Sequence, residues 1–193
     1  MRKIIYALQM SLDGFIEGEN GDLSWSNPDE ELFTHFLELD AAMDLFLYGR
    51  GLYQTMAAFW PTADEDPSAT ELEKRYARQW RAMPKVVVST TLELVDWNSK
   101  LIRGNLAEEI GRLKQQPGSA MNVGGAGLAA SLLRLGLIDE IRTYVHPVIL
   151  GEGKPMFPHL TVPINLELLE TRVFRSKVVM MQFNLKKTRT AGM

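Results

Sequence analysis

Apolar residues fall along this chain in two rhythms. In KIIYALQM (3–10), MDLFLYG (43–49), KVVVSTT (85–91) and SAMNVGG (119–125) they run almost unbroken, as in strands buried on both faces. EIRTYVHPVIL (140–150) is longer and alternates, with Ile141, Thr143 and Val145 on one side. NLELLETRVF (165–174) and KVVMMQFNLKK (177–187), separated by Arg175 and Ser176, predict a terminal antiparallel hairpin. Between these runs the spacing changes to three and four. Leu32, Phe33, Phe36 and Leu37 mark one helical face, and Leu72, Tyr76, Trp80 and Met83 mark another near 69–82. Leu106, Ile110 and Leu113 define a third helix, ended by Pro117-Gly118; Leu128, Leu132 and Leu135 define a fourth, with Gly136 as its stop. The first helix carries a start signal, with Asn27 as cap and Pro28 at the first position. PTADEDPSA (61–69) reads as an exposed loop between two helices.

Apolar strands alternating with amphipathic helices predict an α/β fold, a largely parallel sheet covered on both faces, with one edge made antiparallel by the final hairpin. At 193 residues the chain fits a single domain spanning 1–193. Apolar content of 46% with charged content of 23% is ordinary for a soluble protein, and the net charge of −3 argues against nucleic acid as the main partner. No cysteine is present, which removes disulfides, thiolate metal sites and a cysteine nucleophile. His35, His146 and His159 lack ligand spacing, so no metal is expected. The N-terminal apolar run is too short for a signal peptide, and no segment approaches the ~20 apolar residues of a membrane helix. A cytoplasmic protein without membrane contact is the expectation.

In parallel sheets ligands bind beyond the carboxyl ends of the strands, so the residues just past each strand carry the candidate chemistry. After the second strand, Gly49 and Arg50 open a helix-like stretch, where free N–H groups and a fixed cation suit an anion. The same residues also suit an ordinary strand-to-helix turn. After the third come Ser89, Thr90 and Thr91, whose hydroxyls can meet a phosphate or ribose, or simply cap a turn. After the fourth, Gly125-Ala126-Gly127-Leu128-Ala129-Ala130 formally fits the dinucleotide pattern, but lies late in the chain and lacks the acid ~20 residues on. Taken together, three strands ending in phosphate-suited groups favour a nucleotide site over coincidence. After the first strand, Ser11 to Ile16 leads into a glycine-containing loop that ends at Trp25, a candidate mobile cover and pocket wall. Asp29 and Glu30 admit two readings: acids stabilising a helix start, or a carboxylate at a pocket mouth facing Phe33 and Trp25 that helps protonate a ring nitrogen.

The motifs S-L-D-G-F-I (11–16), L-Y-G-R (47–50), V-V-V-S-T-T (86–91), N-V-G-G-A-G-L (122–128), G-L-I-D-E-I (136–141) and P-V-I-L-G-E-G (147–153) span nearly the whole chain. In that order they resemble the dihydrofolate reductase-like family, most closely the reductase domain of the riboflavin-biosynthesis deaminase–reductase and its stand-alone relatives. The resemblance implies a three-layer αβα domain, with an eight-stranded, mostly parallel sheet whose C-terminal strand is antiparallel. It implies NADPH as hydride donor, with NADH as the alternative. Gly124, Gly125, Ala126, Gly127 and Leu128 would meet the pyrophosphate together with Gly49 and Arg50. Ser89 and Thr90 would lie near the 2′-phosphate, and Gln9 and Ile16 would flank the nicotinamide. Relatives often carry a cis bond within the paired glycines, here Gly124–Gly125. Asp13, Trp25 and Phe33 are the expected substrate residues, Glu30 and Asp29 the expected catalytic ones.

Three positions depart from the family pattern. Leu52 stands where relatives often have Thr, Gly127 where the folate enzymes place a basic residue, and Glu30 where they place the substrate carboxylate. Within these 193 residues no deaminase segment or zinc motif is read, so the bifunctional enzyme is not the expectation. The expected activity is reduction of a C=N or C=O bond in a small, pterin- or pyrimidine-like substrate by a stand-alone enzyme, paired as a homodimer through its C-terminal hairpin. Two rival readings are a non-catalytic nucleotide sensor and a nucleotide-dependent transferase on the same type of sheet.

Overall fold

A computed structural model describes residues 1–157, 160 and 162–186, so His159 and the last residue of the anticipated hairpin, 187, lie outside the described residues. In chain order the first half contains β1 (Ile4–Met10), β2 (Phe15–Glu17), α1 (Glu30–Ala41), β3 (Met43–Gly49), α2 (Arg50–Phe59), α3 (Glu71–Ala82) and β4 (Lys85–Val88). The second half contains β5 (Ser99–Ile102), α4 (Leu106–Gln115), β6 (Ala120–Gly124), α5 (Ala126–Arg134), β7 (Glu140–Val145), β8 (Lys154–Pro155), β9 (Leu166–Val173) and β10 (Val179–Leu185).

Eight strands form one sheet in the order β5-β4-β3-β6-β1-β7-β10-β9. The first six are parallel; β10 runs antiparallel to β7, and β9 antiparallel to β10. The unbroken apolar runs follow from burial on both sides. On β1, Ile4 and Tyr6 pack into the layer that holds α4 and α5, whereas Ile5 packs with α1 and α3. Right-handed crossovers require this arrangement. The chain moves outward from β1 through β3 to β5 with α1–α3 on one face. It then returns to β6 and passes on to β7 with α4 and α5 on the other.

Boundaries shift where side chains claim backbone groups. Asp29, not Asn27, caps α1, because its Oδ1 accepts the Leu32 N–H at 2.9 Å. β4 stops at Val88, because Ser89 Oγ accepts the N–H groups of Thr91 and Leu92 and turns the chain away. β7 ends at Val145, short of the expected 150. Edge strand β5 (SKLI) has no apolar run to announce it; Trp97 and Asn98, at φ of 59° and 55°, swing the chain into it.

A buried lysine fastens this edge. Lys85 is 1% exposed, and its ammonium donates to the carbonyls of Trp80, Met83 (2.7 Å) and Trp97 (2.9 Å) while lying over the Trp80 ring. One cation thereby satisfies the carbonyl-rich end of α3 and the turn that enters β5. Lys85→Met leaves those three carbonyls without their donor. It is expected to destabilise the protein by about 3 kcal/mol, a fall in melting temperature of roughly 10 °C measurable by thermal denaturation.

Candidate active site

Two helices begin at the same seam. α2 leaves β3 and α5 leaves the neighbouring β6, on opposite faces of the sheet, which is where an open α/β sheet forms its ligand crevice. The caps of α1, α3 and α4 are Asp29, Thr70 and Asn105, each accepting a backbone N–H from its own first turn. The caps of α2 and α5 are Gly49 and Gly125, with no side-chain cap. Their first-turn N–H groups therefore remain open to an anion at the crevice.

Close approach explains Gly124. A Cβ built on Gly49 would lie 3.4 Å from Leu128 Cβ, and one on Gly124 would run into Leu52 Cδ2 and stand 3.1 Å from the Tyr48 ring. Gly125 makes the turn with φ of +94°. The Gly124–Gly125 bond is trans, contrary to the expectation of a cis bond; the positive φ at Gly125 turns the chain instead. Gly127 is exposed and open, while Ala126 and Leu128 are buried against the sheet, so they contribute backbone and packing to the crevice.

Beside the seam, Arg50 Nη1 donates to Thr91 Oγ1 at 2.9 Å. Arg103 braces the same loop through Glu93 O at 3.1 Å. Two guanidinium groups thus meet the loop that follows β4. Ser89 is turned inward as the turn-closing acceptor, and Thr90 is exposed; Thr91 is the hydroxyl that meets Arg50.

A cavity of about 1030 Å3 opens alongside, lined by Gln9, by Leu23, Ser24, Ser26, Asn27 and Pro28, by Glu30 and Phe33 of α1, by Phe59 and Trp60, and by the start of α3; Trp25, the expected wall, does not line it. Glu30 is the first residue of α1, exposed at this mouth. Asp29 is occupied as the helix cap and does not line the cavity, so of the two acids only Glu30 is free to meet a ligand. Asp13 stands elsewhere. It takes the Ser11 hydroxyl at 2.6 Å and the N–H groups of Leu150 (3.2 Å) and Gly151 (2.8 Å), contacts that hold its carboxyl below the usual range. It locks two loops together instead of facing a substrate. Trp25 packs edge-on against His146, with ring centroids 5.3 Å apart, and His146 Nε2 donates to Gln9 Oε1 at 2.8 Å. Burial lowers the His146 pKa, which favours the neutral ring. Gln9 therefore has its carbonyl oxygen engaged and its NH2 group left for a ligand. Ile16 is buried in β2, which pairs with β8, so the anticipated mobile loop begins as ordered strand.

Below Gln9 lies an inner cavity of about 220 Å3 between the sheet and α1–α3. Asp40, Asn122, Tyr48, Tyr76 and Tyr144 line it. Asp40 Oδ2 accepts from Tyr76 Oη at 3.2 Å, and Oδ1 from Asn122 Nδ2 at 3.3 Å. Burial pushes the Asp40 carboxyl from 3.8 up to about 7, and its place at the carboxyl end of α1 acts in the same direction. Asp40, Asn122 and His146 escaped the sequence reading. Their signals are a polar residue inside an apolar run and an acid four positions beyond Phe36 on the buried helical face.

This fold, with its glycine-capped seam and adjoining cavity, is of the dihydrofolate reductase-like class. The chain belongs to the RibD C-terminal domain family, whose sequence profile matches residues 2–180. It is 39% identical over 185 residues to the uncharacterized protein YyaP of Bacillus subtilis (strain 168), covering 95% of each chain. Among solved structures, a Shewanella sp. PV-4 protein provisionally assigned to riboflavin biosynthesis superposes with a TM-score of 0.78 at 22% identity, over 96% of this chain and 99% of the other. Dihydrofolate reductase from Enterococcus faecalis, solved with NADP(H), gives 0.65 at 13% identity, over 96% and 97%. Among the described residues no helix is long and apolar enough to cross a membrane.

Asp40 makes stability depend on pH. An acid whose folded pKa is raised holds its proton more tightly when folded. Its contribution is full below 3.8 and is lost as pH rises toward about 7. Asp40→Asn lacks that loss. Its melting temperature is expected to gain on the native protein between pH 4 and pH 7 by several degrees and to keep the advantage above, as read by calorimetry across pH.

Proposed function

We propose that this chain is an NAD(P)H-dependent reductase that delivers hydride to a C=N or C=O bond of a small heteroaromatic, pterin- or pyrimidine-like substrate. The observation that carries the reading is the pair of glycine-capped helix starts meeting at one strand seam beside Arg50 and Thr91. The dinucleotide fits there because backbone N–H groups are left open and Gly127 leaves space. Gly125 to Leu128 with Gly49 and Arg50 would hold its phosphates, and Arg50, Thr91 and Arg103 would favour a 2′-phosphate and hence NADPH over NADH. Leu52 fills the volume above Gly124, so fewer hydroxyls serve the phosphates than the family resemblance implies.

When bound, the nicotinamide supplies the hydride. The protein orients and encloses. Gln9, fixed by His146, offers an N–H donor to the substrate, and Phe33, Phe59 and Trp60 exclude water from the cavity. Glu30, at the mouth, passes a proton to the ring nitrogen or oxygen that gains charge. Pairing of two copies through β9 belongs to the same reading. That edge strand is exposed along its length, with Leu168 54% and Val173 67% accessible.

Titration with NADPH, followed by tryptophan quenching and energy transfer to the nicotinamide, is expected to show micromolar binding without added metal. Binding of ATP with silence toward both nicotinamides would overturn the reading in favour of a sensor or transferase. Arg50→Ala is expected to weaken NADPH by roughly tenfold or more and NADH by less, in the same titration. Glu30→Gln is expected to lower turnover on an identified substrate by roughly a hundredfold. Unchanged turnover would leave Glu30 as a helix-start residue only.

A further inference from the structure

The larger cavity has more room than one reducible ring needs. A cavity of roughly 150 Å3 accommodates benzene, whereas this one is about 1030 Å3. A substrate that fills it carries a substituent beyond the reacting ring, and the outer wall selects what that substituent is. The wall is formed where α2 ends and α3 begins, by Phe59, Trp60, Glu71, Leu72 and Glu73. Its aromatic part is angular: the Phe59 and Trp60 rings meet at 81° with centroids 4.9 Å apart, and Phe33 approaches Trp60 from α1 at 45° and 6.3 Å. Phe59 is 55% exposed, so its ring is not consumed by packing. Rings set at such angles offer their faces to a cation, which is attracted from within about 6 Å of a ring centroid.

The charge of the wall has the matching sign. A helix start ordinarily draws anions, and the starts of both α1 and α3 reach this cavity. Both, however, are closed. Asp29 Oδ1 accepts the Leu32 N–H at α1. At α3, Thr70 Oγ1 accepts the Glu73 N–H at 3.2 Å while Glu73 Oε2 accepts the Thr70 N–H at 2.7 Å. This is the reverse of α2 and α5, whose glycine caps leave their N–H groups open. Carboxylates at Glu71 and Glu73 then load the start of α3 with negative charge. Glu71 Oε1 meets Lys74 Nζ at 3.2 Å on the same helix, but Lys74 does not line the cavity. Among the described residues no lysine, arginine or histidine lines it. A phosphate- or carboxylate-bearing substituent would therefore stand beside carboxylates with no cation to meet it, whereas an ammonium group would gain from both the rings and the acids.

We propose that the outer wall selects a cationic substituent on the substrate, a protonated alkylamine or a quaternary ammonium group, seated against Phe59 and Trp60 beside Glu71 and Glu73. The assignment rests on the reductase reading for what becomes of the reacting ring, but not for the binding of the cation.

Three probes of one bulk differ only in charge: choline, the uncharged neohexyl alcohol with carbon in place of its nitrogen, and the carboxylate tert-butylacetate. Ligand-detected NMR on the full chain at low salt is expected to rank them in that order, with choline ahead of the alcohol by about threefold or more. Phe59→Leu and Trp60→Leu should each remove most of that preference, and Glu71→Lys should place the carboxylate ahead of choline. Each variant is checked by thermal melting, and exposed Phe59 guards against loss of fold in Trp60→Leu. Absence of choline binding, equal binding of the three probes, or an unchanged ranking in the folded Phe59, Trp60 and Glu71 variants would overturn the assignment. Loss of the preference in Glu30→Gln alone would also overturn it, placing the cation at the proton-delivering carboxyl. NADPH titration is read separately. If neither nicotinamide binds while the ranking and its dependence on Phe59 and Trp60 persist, the cation site stands and the reductase reading falls; if NADPH binds and the ranking fails, the reverse holds.

Discussion

Every feature of the candidate site depends on how closely β3 and β6 bring their ends together. At Gly49 a Cβ would just touch Leu128, at Gly124 it would run into the Leu52 side chain and crowd the Tyr48 ring, and Gly125 then turns the chain with a positive φ. Because the two strands are neighbours and their helices depart on opposite faces, both helix starts are left facing the same opening. A side chain at Gly124 would have to displace Leu52, and one at Gly125 would be strained by its positive φ. The sheet order is thus the means by which two sets of unpaired N–H groups, far apart in sequence, are aimed at one place.

Much of this architecture was legible in the sequence, for a physical reason. Strands buried on both faces must be apolar throughout, and β1, β3, β4 and β6 announce themselves in that way. β5 does not, because an edge strand with Lys100 exposed needs no such run. The rim of the sheet was legible from position, since whatever follows a parallel strand lies there, and Gly49, Arg50 and the 124–128 turn stand at that rim. Side-chain roles were less legible. An acid or hydroxyl after a strand can bond its own backbone as readily as a ligand, and spacing does not separate the two. Asp13, Asp29 and Ser89 all serve backbone N–H groups. Asp40 meets Asn122, and Gln9 meets His146, only through the strand order, across 82 and 137 residues of chain.

Two buried ionisable groups illustrate opposite solutions to the same expense. Lys85 is surrounded by carbonyls that need its protons, so its burial closes an account of unpaired acceptors. Asp40 is held by two neutral donors at long range beside an unpaired amide oxygen, a balance that favours the uncharged acid. The first arrangement serves the fold. The second lowers stability as pH rises toward neutral.

Lys85 has one more consequence, for reactivity. Its amine is out of reach of solvent while α3, β4 and β5 remain joined, whereas a lysine such as Lys100 on the neighbouring strand is exposed. An acylating reagent would modify exposed lysines at once, but Lys85 only in molecules whose sheet edge had come apart. A chain acylated there could not close that edge again, since an amide has one proton to offer three carbonyls. The labelling of this single nitrogen would therefore record, irreversibly and molecule by molecule, an opening of the sheet beyond β4.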